Sequence, residues 1–116
     1  MKLPLSQKQS KMLNEILYAA MSNAVKGNDA EVAVVLDELN KRITPNAMYI
    51  KVKKYEAEYL LDFVEGIRVS LEEAQEFLQA EQEPRENKEE LLSIASEKQI
   101  EAAEIVDMIK GKIRGV

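Results

Sequence analysis

The sequence predicts an all-α protein of four helices, of which the last two are long and form an antiparallel, coiled-coil-like hairpin. Only four glycines and three prolines interrupt the 116 residues, so long helices are expected. Apolar residues recur at helical steps of three and four. Two such stripes flank a short turn at Pro84, as in a helical hairpin. The length favours a single helical domain over residues 1–116.

A short helical pair is expected over residues 1–43. Its first helix runs from about Ser6, which can cap the start, to Lys26, and Gly27 suits the end. Its second helix spans roughly Asp29 to Arg42. The valines of this segment leave a β-strand as an alternative, but the helical spacing of its apolar residues favours a helix.

The long hairpin is expected over residues 44–116. Its first helix begins at Thr44-Pro45, because proline suits a first helical turn, and continues to about Gln82. The second runs from Asn87 to about Lys110. The stripe of the first is Ala57, Leu60, Val64, Ile67, Leu71, Ala74 and Leu78. The stripe of the second is Leu92, Ala95, Gln99, Ala102, Val106, Ile109 and Ile113. Both are heptad seams, with one polar member in the second.

Two structural alternatives stay open at this stage. Pro84 gives either a tight hairpin or only a kink that lets both helices extend. The hairpin also leaves apolar residues uncovered, including a second stripe on its first helix. That stripe is Met48, Val52, Tyr55, Tyr59 and Phe63. The N-terminal pair can cover one side, and a second copy of the chain is the expected cover for the rest, which predicts a homo-oligomer.

The net charge of −5 is unevenly distributed along the chain. Residues 1–55 carry nine basic and five acidic residues, residues 56–109 carry four and sixteen, and residues 110–116 carry three and none. Reversal at Pro84 would bring Lys112 and Arg114 beside residues 54–56. The hairpin would then have a basic pole at that end and an acidic tip at the other.

The basic pole is the candidate ligand-binding site. Its proposed members are Tyr49, Lys51, Lys53, Lys54, Tyr55, Lys112 and Arg114. A tyrosine ring near an ammonium group suits a nucleotide base stacked above a phosphate. The expected start of the long helix, at Pro45-Asn46-Ala47, would offer the free backbone N–H groups and the positive dipole end that favour the same anion. The competing interpretation is that the tyrosines pack and the lysines solvate a helix.

The composition excludes several kinds of chemistry. The chain has no cysteine and no histidine, which removes thiol nucleophiles, disulfides, the common zinc sites and the usual proton shuttle. Its glycines are isolated, so there is no glycine-rich phosphate loop. Carboxylate pairs such as Glu72 and Glu76 fall on polar faces. We therefore expect no catalytic residues, metal site or cofactor, and a protein that is not an enzyme.

Binding is the function that these observations predict. The main hypothesis is a self-associating helical protein of the small accessory or inhibitor type, which acts through protein–protein interaction. The alternative is the sequestering or sensing of an anionic nucleotide at the basic pole. Binding to nucleic acid is disfavoured, because the second predicted helix carries Glu31, Asp37 and Glu38, which would repel phosphates. A membrane span is disfavoured too, because no apolar run approaches about 20 residues. Binding to a membrane surface is disfavoured because no helix combines a basic face with an aromatic apolar face over its length, and a soluble, cytoplasmic protein is expected.

Overall fold

Four helices and a pair of short strands make up the protein. The computed structural model describes residues 1–44, 46, 48–81 and 86–115. In chain order the elements are β1 (Lys2–Pro4), α1 (Gln7–Lys26), α2 (Ala30–Arg42), β2 (Tyr49–Lys51), α3 (Lys54–Ala80) and α4 (Lys88–Arg114). Helices α3 and α4 pack closely along their lengths. The all-α class and the fold-back of the hairpin are confirmed, although Pro84 itself lies outside the described residues.

Local side-chain chemistry sets the bounds of α1 and α2. The Ser6 hydroxyl accepts the backbone N–H of Gln9 at 3.1 Å, and the Gln9 side chain accepts the N–H of Ser6 at 3.0 Å. This reciprocal capping box satisfies two donors at the start of α1. Asn28 turns the chain with a left-handed φ of 59°, and the Asp29 carboxylate caps α2 by accepting the N–H of Val32. Both predicted helices are confirmed.

The predicted start of the third helix is wrong. Helix α3 begins at Lys54 rather than Thr44, and residues 49–51 form β2, which pairs antiparallel with β1. In this register Leu3 lies opposite Ile50, and both are buried while their neighbours are exposed. The pairing extends to the chain start, where the backbone N–H of Val52 donates to Met1 at 2.9 Å. Alternating burial therefore overrides the helical spacing read from the sequence.

This correction changes two further predictions. Met48 and Val52 do not belong to a helical stripe, since Met48 is exposed and Val52 is buried beside the strand pair. Asn46 lies in a turn, and Pro45 and Ala47 lie outside the described residues. Because α3 begins at Lys54, the prediction of an anion site at a helix start near Thr44 is wrong as well.

The main core lies where α1, α2 and the strands pack on the half of the hairpin that contains the start of α3 and the end of α4. Every element contributes buried side chains. The largest fully buried apolar side chains are Leu3, Leu13, Leu17, Leu36, Leu39, Leu60, Val64, Ile105 and Ile109. Burial of each such side chain stabilises the fold by about 1.5–3 kcal/mol before entropy is counted.

The seam between α3 and α4 follows both predicted stripes with one exception. Ala57, Leu60, Val64 and Leu78 are buried on α3, as are Ala95, Ala102, Val106 and Ile109 on α4. Ala74 is exposed instead, and its neighbour Gln75 faces α4 and donates a hydrogen bond to Gln99. The polar member of the second stripe thus has a polar partner that spacing alone did not identify.

Candidate functional site

Five of the seven predicted site residues lie in one short stretch. Tyr49 and Lys51 belong to β2, Lys53 precedes α3, and Lys54 and Tyr55 form its first turn; all five are exposed. The structure adds Lys2, which pairs with Lys51 across the strands and places its ammonium 4.7 Å from the centre of the Tyr49 ring. We call these six residues, together with the exposed Met48, the basic end.

Lys112 and Arg114 occupy a different position from the one predicted. Both are exposed in the last turn of α4. The register of the hairpin is set by Gln75 opposite Gln99 and continues to Glu65, whose carboxylate feels the charge of Lys110. Extending this register places Lys112 level with about residue 63, roughly 13 Å along α3 from Lys54. The two C-terminal cations are therefore displaced from residues 54–56, because the hairpin is not symmetric about Pro84.

A half-buried ion pair lies beneath the basic end. The Glu56 side chain is 2% exposed, and its Oε1 atom accepts the Arg42 guanidinium at 2.9 Å and the backbone N–H of Lys53 at 2.8 Å. Burial raises the pKa of Glu56, but the hydrogen bonds from Arg42 and Lys53 outweigh it, and the pKa lies below its ordinary value. The pair ties the end of α2 to the start of α3.

Contacts within the chain already use two features that a bound nucleotide would need. The Glu56 carboxylate occupies the electropositive N-terminus of α3, where an anion would otherwise be favoured. The Lys2 ammonium lies over the Tyr49 ring, which leaves that face unavailable for stacking. The Lys2–Tyr49 contact depends on the strand pair, which sequence spacing could not reveal. The Glu56 contact depends on α3 beginning at Lys54 rather than at Thr44.

A second surface is a cleft between α1, the start of α2 and α3, which we call the α1–α3 groove. Its volume is about 620 Å³. Most lining residues are apolar or small, including Ile16, Ala19, Ala20, Ala24, Val32, Phe63, Gly66 and Ile67. Among the described lining residues the ionisable ones are Asp29 and Asp62, and none is cationic. The groove is thus an apolar surface with an acidic rim.

Gly66 lies in the wall of this groove, near the middle of α3. A Cβ atom built on it would meet no other atom within 4 Å. Glycine costs about 1 kcal/mol relative to alanine in a helix, and no packing within the chain requires it here. The sequence identified Gly66 only as a weak point of the helix. The open space beside it becomes visible only when α1 is placed against α3.

The groove continues along α3 as an exposed strip. Phe63, Ser70 and Phe77 are spaced by seven residues and so lie on one face of the helix. Phe77 is 65% exposed, and Ala74 is exposed nearby. Of the three glutamates between residues 69 and 80, Glu73 lies beside this face, whereas Glu72 lies on the opposite one and pairs with Arg68 at 3.6 Å. The strip therefore shares the apolar and acidic character of the groove.

Comparison of the chain with models of protein families, with curated proteins and with solved structures gives no match. Over residues 1–44, 46, 48–81 and 86–115, no cluster of three or more carboxylates is arranged to hold a metal ion. In the same part of the chain, no helix combines the length and apolar character needed to cross a membrane.

Proposed function

We propose that this chain is a non-enzymatic, self-associating helical protein of the accessory or inhibitor type, which acts by binding protein surfaces. The observation that carries the proposal is the α1–α3 groove, an open and mostly apolar cleft of about 620 Å³. Contiguous apolar surface with a polar rim is typical of protein interaction sites. The two Asp residues at its edge supply charges that can orient a partner.

The small residues of the groove support a protein partner. Ala19, Ala20 and Gly66 expose little beyond the backbone, and small residues allow a docked backbone to approach closely. Glycine at position 66 lowers the stability of the isolated helix, whereas an approaching partner would gain from the missing side chain. Contact with a second surface explains why a residue that destabilises α3 lies in the wall of the groove.

Two matched glycine variants test the proposal. Gly66→Gln places a side chain in the groove, and Gly111→Gln places the same side chain on α4, where a Cβ also meets nothing within 4 Å. Glutamine is the better helix former, so both variants should fold at least as stably as the wild type. Sedimentation velocity over a range of concentrations should show association of the wild type and of Gly111→Gln, and at least tenfold weaker association of Gly66→Gln.

Two results would contradict the proposal. One is a wild-type protein that stays monomeric up to millimolar concentration. The other is association of Gly66→Gln that matches the wild type, since an interface through the groove must respond to a side chain placed inside it.

A second candidate function is the binding of an anionic nucleotide at the basic end. It is favoured by a small open cavity of about 320 Å³ that Arg42, Lys51 and Lys53 line together with Glu56. Saturating nucleotide at a hundred times its dissociation constant should then stabilise the protein by about 2.7 kcal/mol. A thermal shift assay with a nucleotide panel measures this, and Lys53→Glu should abolish the shift. Unchanged melting temperatures with every nucleotide would remove this candidate.

The cytoplasmic location stays a prediction from the cysteine-free sequence.

A further inference from the structure

We infer that the α1–α3 groove receives the basic end of a second copy of the same chain, so that copies associate head to tail. The inference rests on the proposed function, because it names the surface that fills the groove. It follows from the charge and the apolar exposure of the two regions, which share no residue.

The groove requires a cationic occupant. Asp29 and Asp62 line it, and Glu73 lies beside the Ser70 and Phe77 face that extends it along α3. An occupant with acidic or neutral flanks would leave these carboxylates opposed or uncompensated. Apolar side chains at the centre of the occupant must also match the apolar walls.

The basic end has both properties. Its four lysines, at positions 2, 51, 53 and 54, surround exposed apolar side chains. Met48 is 82% exposed, and Tyr49 and Tyr55 are also about half exposed. Methionine is flexible and adapts to irregular apolar clefts, while tyrosine and lysine suit the rim of an interface. The chain therefore displays a surface complementary to its own groove.

A symmetric dimer is the competing arrangement, and the charges argue against it. In a two-fold dimer that places groove against groove, Asp29 and Asp62 of one copy would approach their own counterparts. A head-to-tail contact pairs opposite charges instead. It also leaves one groove and one basic end free on each pair, so that association continues with rising concentration rather than ending at a dimer.

Complementary single-surface variants test this arrangement. Gly66→Gln alters only the groove, and Lys54→Glu combined with Met48→Ser alters only the basic end. Each alone should associate at least tenfold more weakly than the wild type, because it lacks one of the two surfaces. Their equimolar mixture should form a one-to-one dimer and stop, since one intact groove and one intact basic end remain. Exposed Lys11→Glu is the charge control and should associate like the wild type.

The outcomes separate the inference from the proposed function. If Gly66→Gln prevents association but the basic-end variant associates like the wild type, the groove is an interface and the head-to-tail contact is overturned. If the mixture stays monomeric while the wild type associates, the inference is overturned as well. If the wild type never associates, both the inference and the proposed function are overturned. Circular dichroism of each variant, matched to the wild type, ensures that weaker association reflects the surface and not unfolding.

Discussion

The Asn14 side chain reaches across 29 positions to cap the end of another helix. Its amide nitrogen lies 3.0 Å from the carbonyl oxygen of Ile43, and 3.2 Å and 2.8 Å from the backbone and side-chain oxygens of Asn40. Carbonyl groups in the last turn of a helix lack partners within that helix. One side chain of α1 thus satisfies the end of α2 and fixes the angle at which the two helices meet.

Loss of this amide should destabilise the protein. Asn14→Ala leaves several partly buried oxygens without their donor, and a cost of about 1–3 kcal/mol is expected. Asn14→Asp should cost more at neutral pH, because a carboxylate would oppose those oxygens. Urea unfolding monitored by circular dichroism measures both effects. Asn87→Ala is the matched control, because Asn87 makes no capping hydrogen bond through its side chain, and equal losses at the two positions would contradict the prediction.

Breaking the Arg42–Glu56 pair should cost more stability than replacing both of its members. Arg42→Leu leaves a buried carboxylate with a backbone donor alone, and we expect a loss of about 2–3 kcal/mol, somewhat below the usual range for a broken buried pair because Arg42 is 38% exposed. The double variant Arg42→Leu with Glu56→Leu should recover much of that loss. Lys41→Met, which removes an exposed pair with Asp37, should change little. Denaturant midpoints of these proteins, together with the single variant Glu56→Leu, complete the cycle that gives the coupling.

Acid should weaken the fold in part through Glu56. Its pKa is lowered in the folded protein from an ordinary 4.5, so its contribution to stability is complete above that value and is lost as the pH falls through the folded pKa. Glu56→Gln lacks this titration. The stability gap between the wild type and Glu56→Gln should therefore be widest near pH 6 and should shrink toward pH 3. Urea unfolding at each pH gives the gap, and one that stays constant would show that Glu56 is not the titrating group.

Replacing Ser10 by alanine should increase the stability of the protein. It is fully buried in α1, and its hydroxyl has no hydrogen-bond partner in the described part of the chain. Ser10→Ala removes an unsatisfied polar atom and adds helix propensity, so an increase of about 1 kcal/mol is expected. Thermal melting at fixed protein concentration measures it. A lower melting temperature would mean that the hydroxyl is hydrogen-bonded in solution.

The helices could be read from the sequence because their signals are local. Ser6 and Asp29 cap helices within a few residues of themselves, and the α4 stripe from Ala95 to Ile109 is buried as its spacing predicts. The strand pair could not be read in this way. Residues 49–51 become a strand only because Leu3, 47 positions earlier than Ile50, completes the pair, and three residues are too few to show a clear alternation.

The candidate sites depended even more on long-range geometry. The cluster of Tyr49, Lys51 and Lys53 was visible as a run of charge and rings, whereas the position of Lys112 depended on the hairpin register. Nothing local in the sequence distinguishes Glu56 from the other acidic residues, because its partner Arg42 comes from another helix. The α1–α3 groove left only one local trace, a glycine in the middle of a long helix, whose meaning depends on what lies beside it.

The Gln75–Gln99 hydrogen bond should specify the register of the hairpin at some cost in stability. A polar pair in a seam is less favourable than two well-packed apolar residues, but it favours one alignment over its neighbours. Replacement of both glutamines by leucine should therefore raise the denaturant midpoint and at the same time allow the helices to slide.

Spin labels measure the sliding, and because the chain has no cysteine they can be attached at Glu76→Cys and Glu97→Cys. The distribution of distances between the labels should be narrow in the otherwise wild-type protein and broader with the two leucines. The single variant Gln99→Leu is the control, because it leaves Gln75 a contact with the carbonyl oxygen of Leu71 at 3.3 Å and should stabilise less. An equally narrow distribution in all three proteins would show that apolar packing alone sets the register.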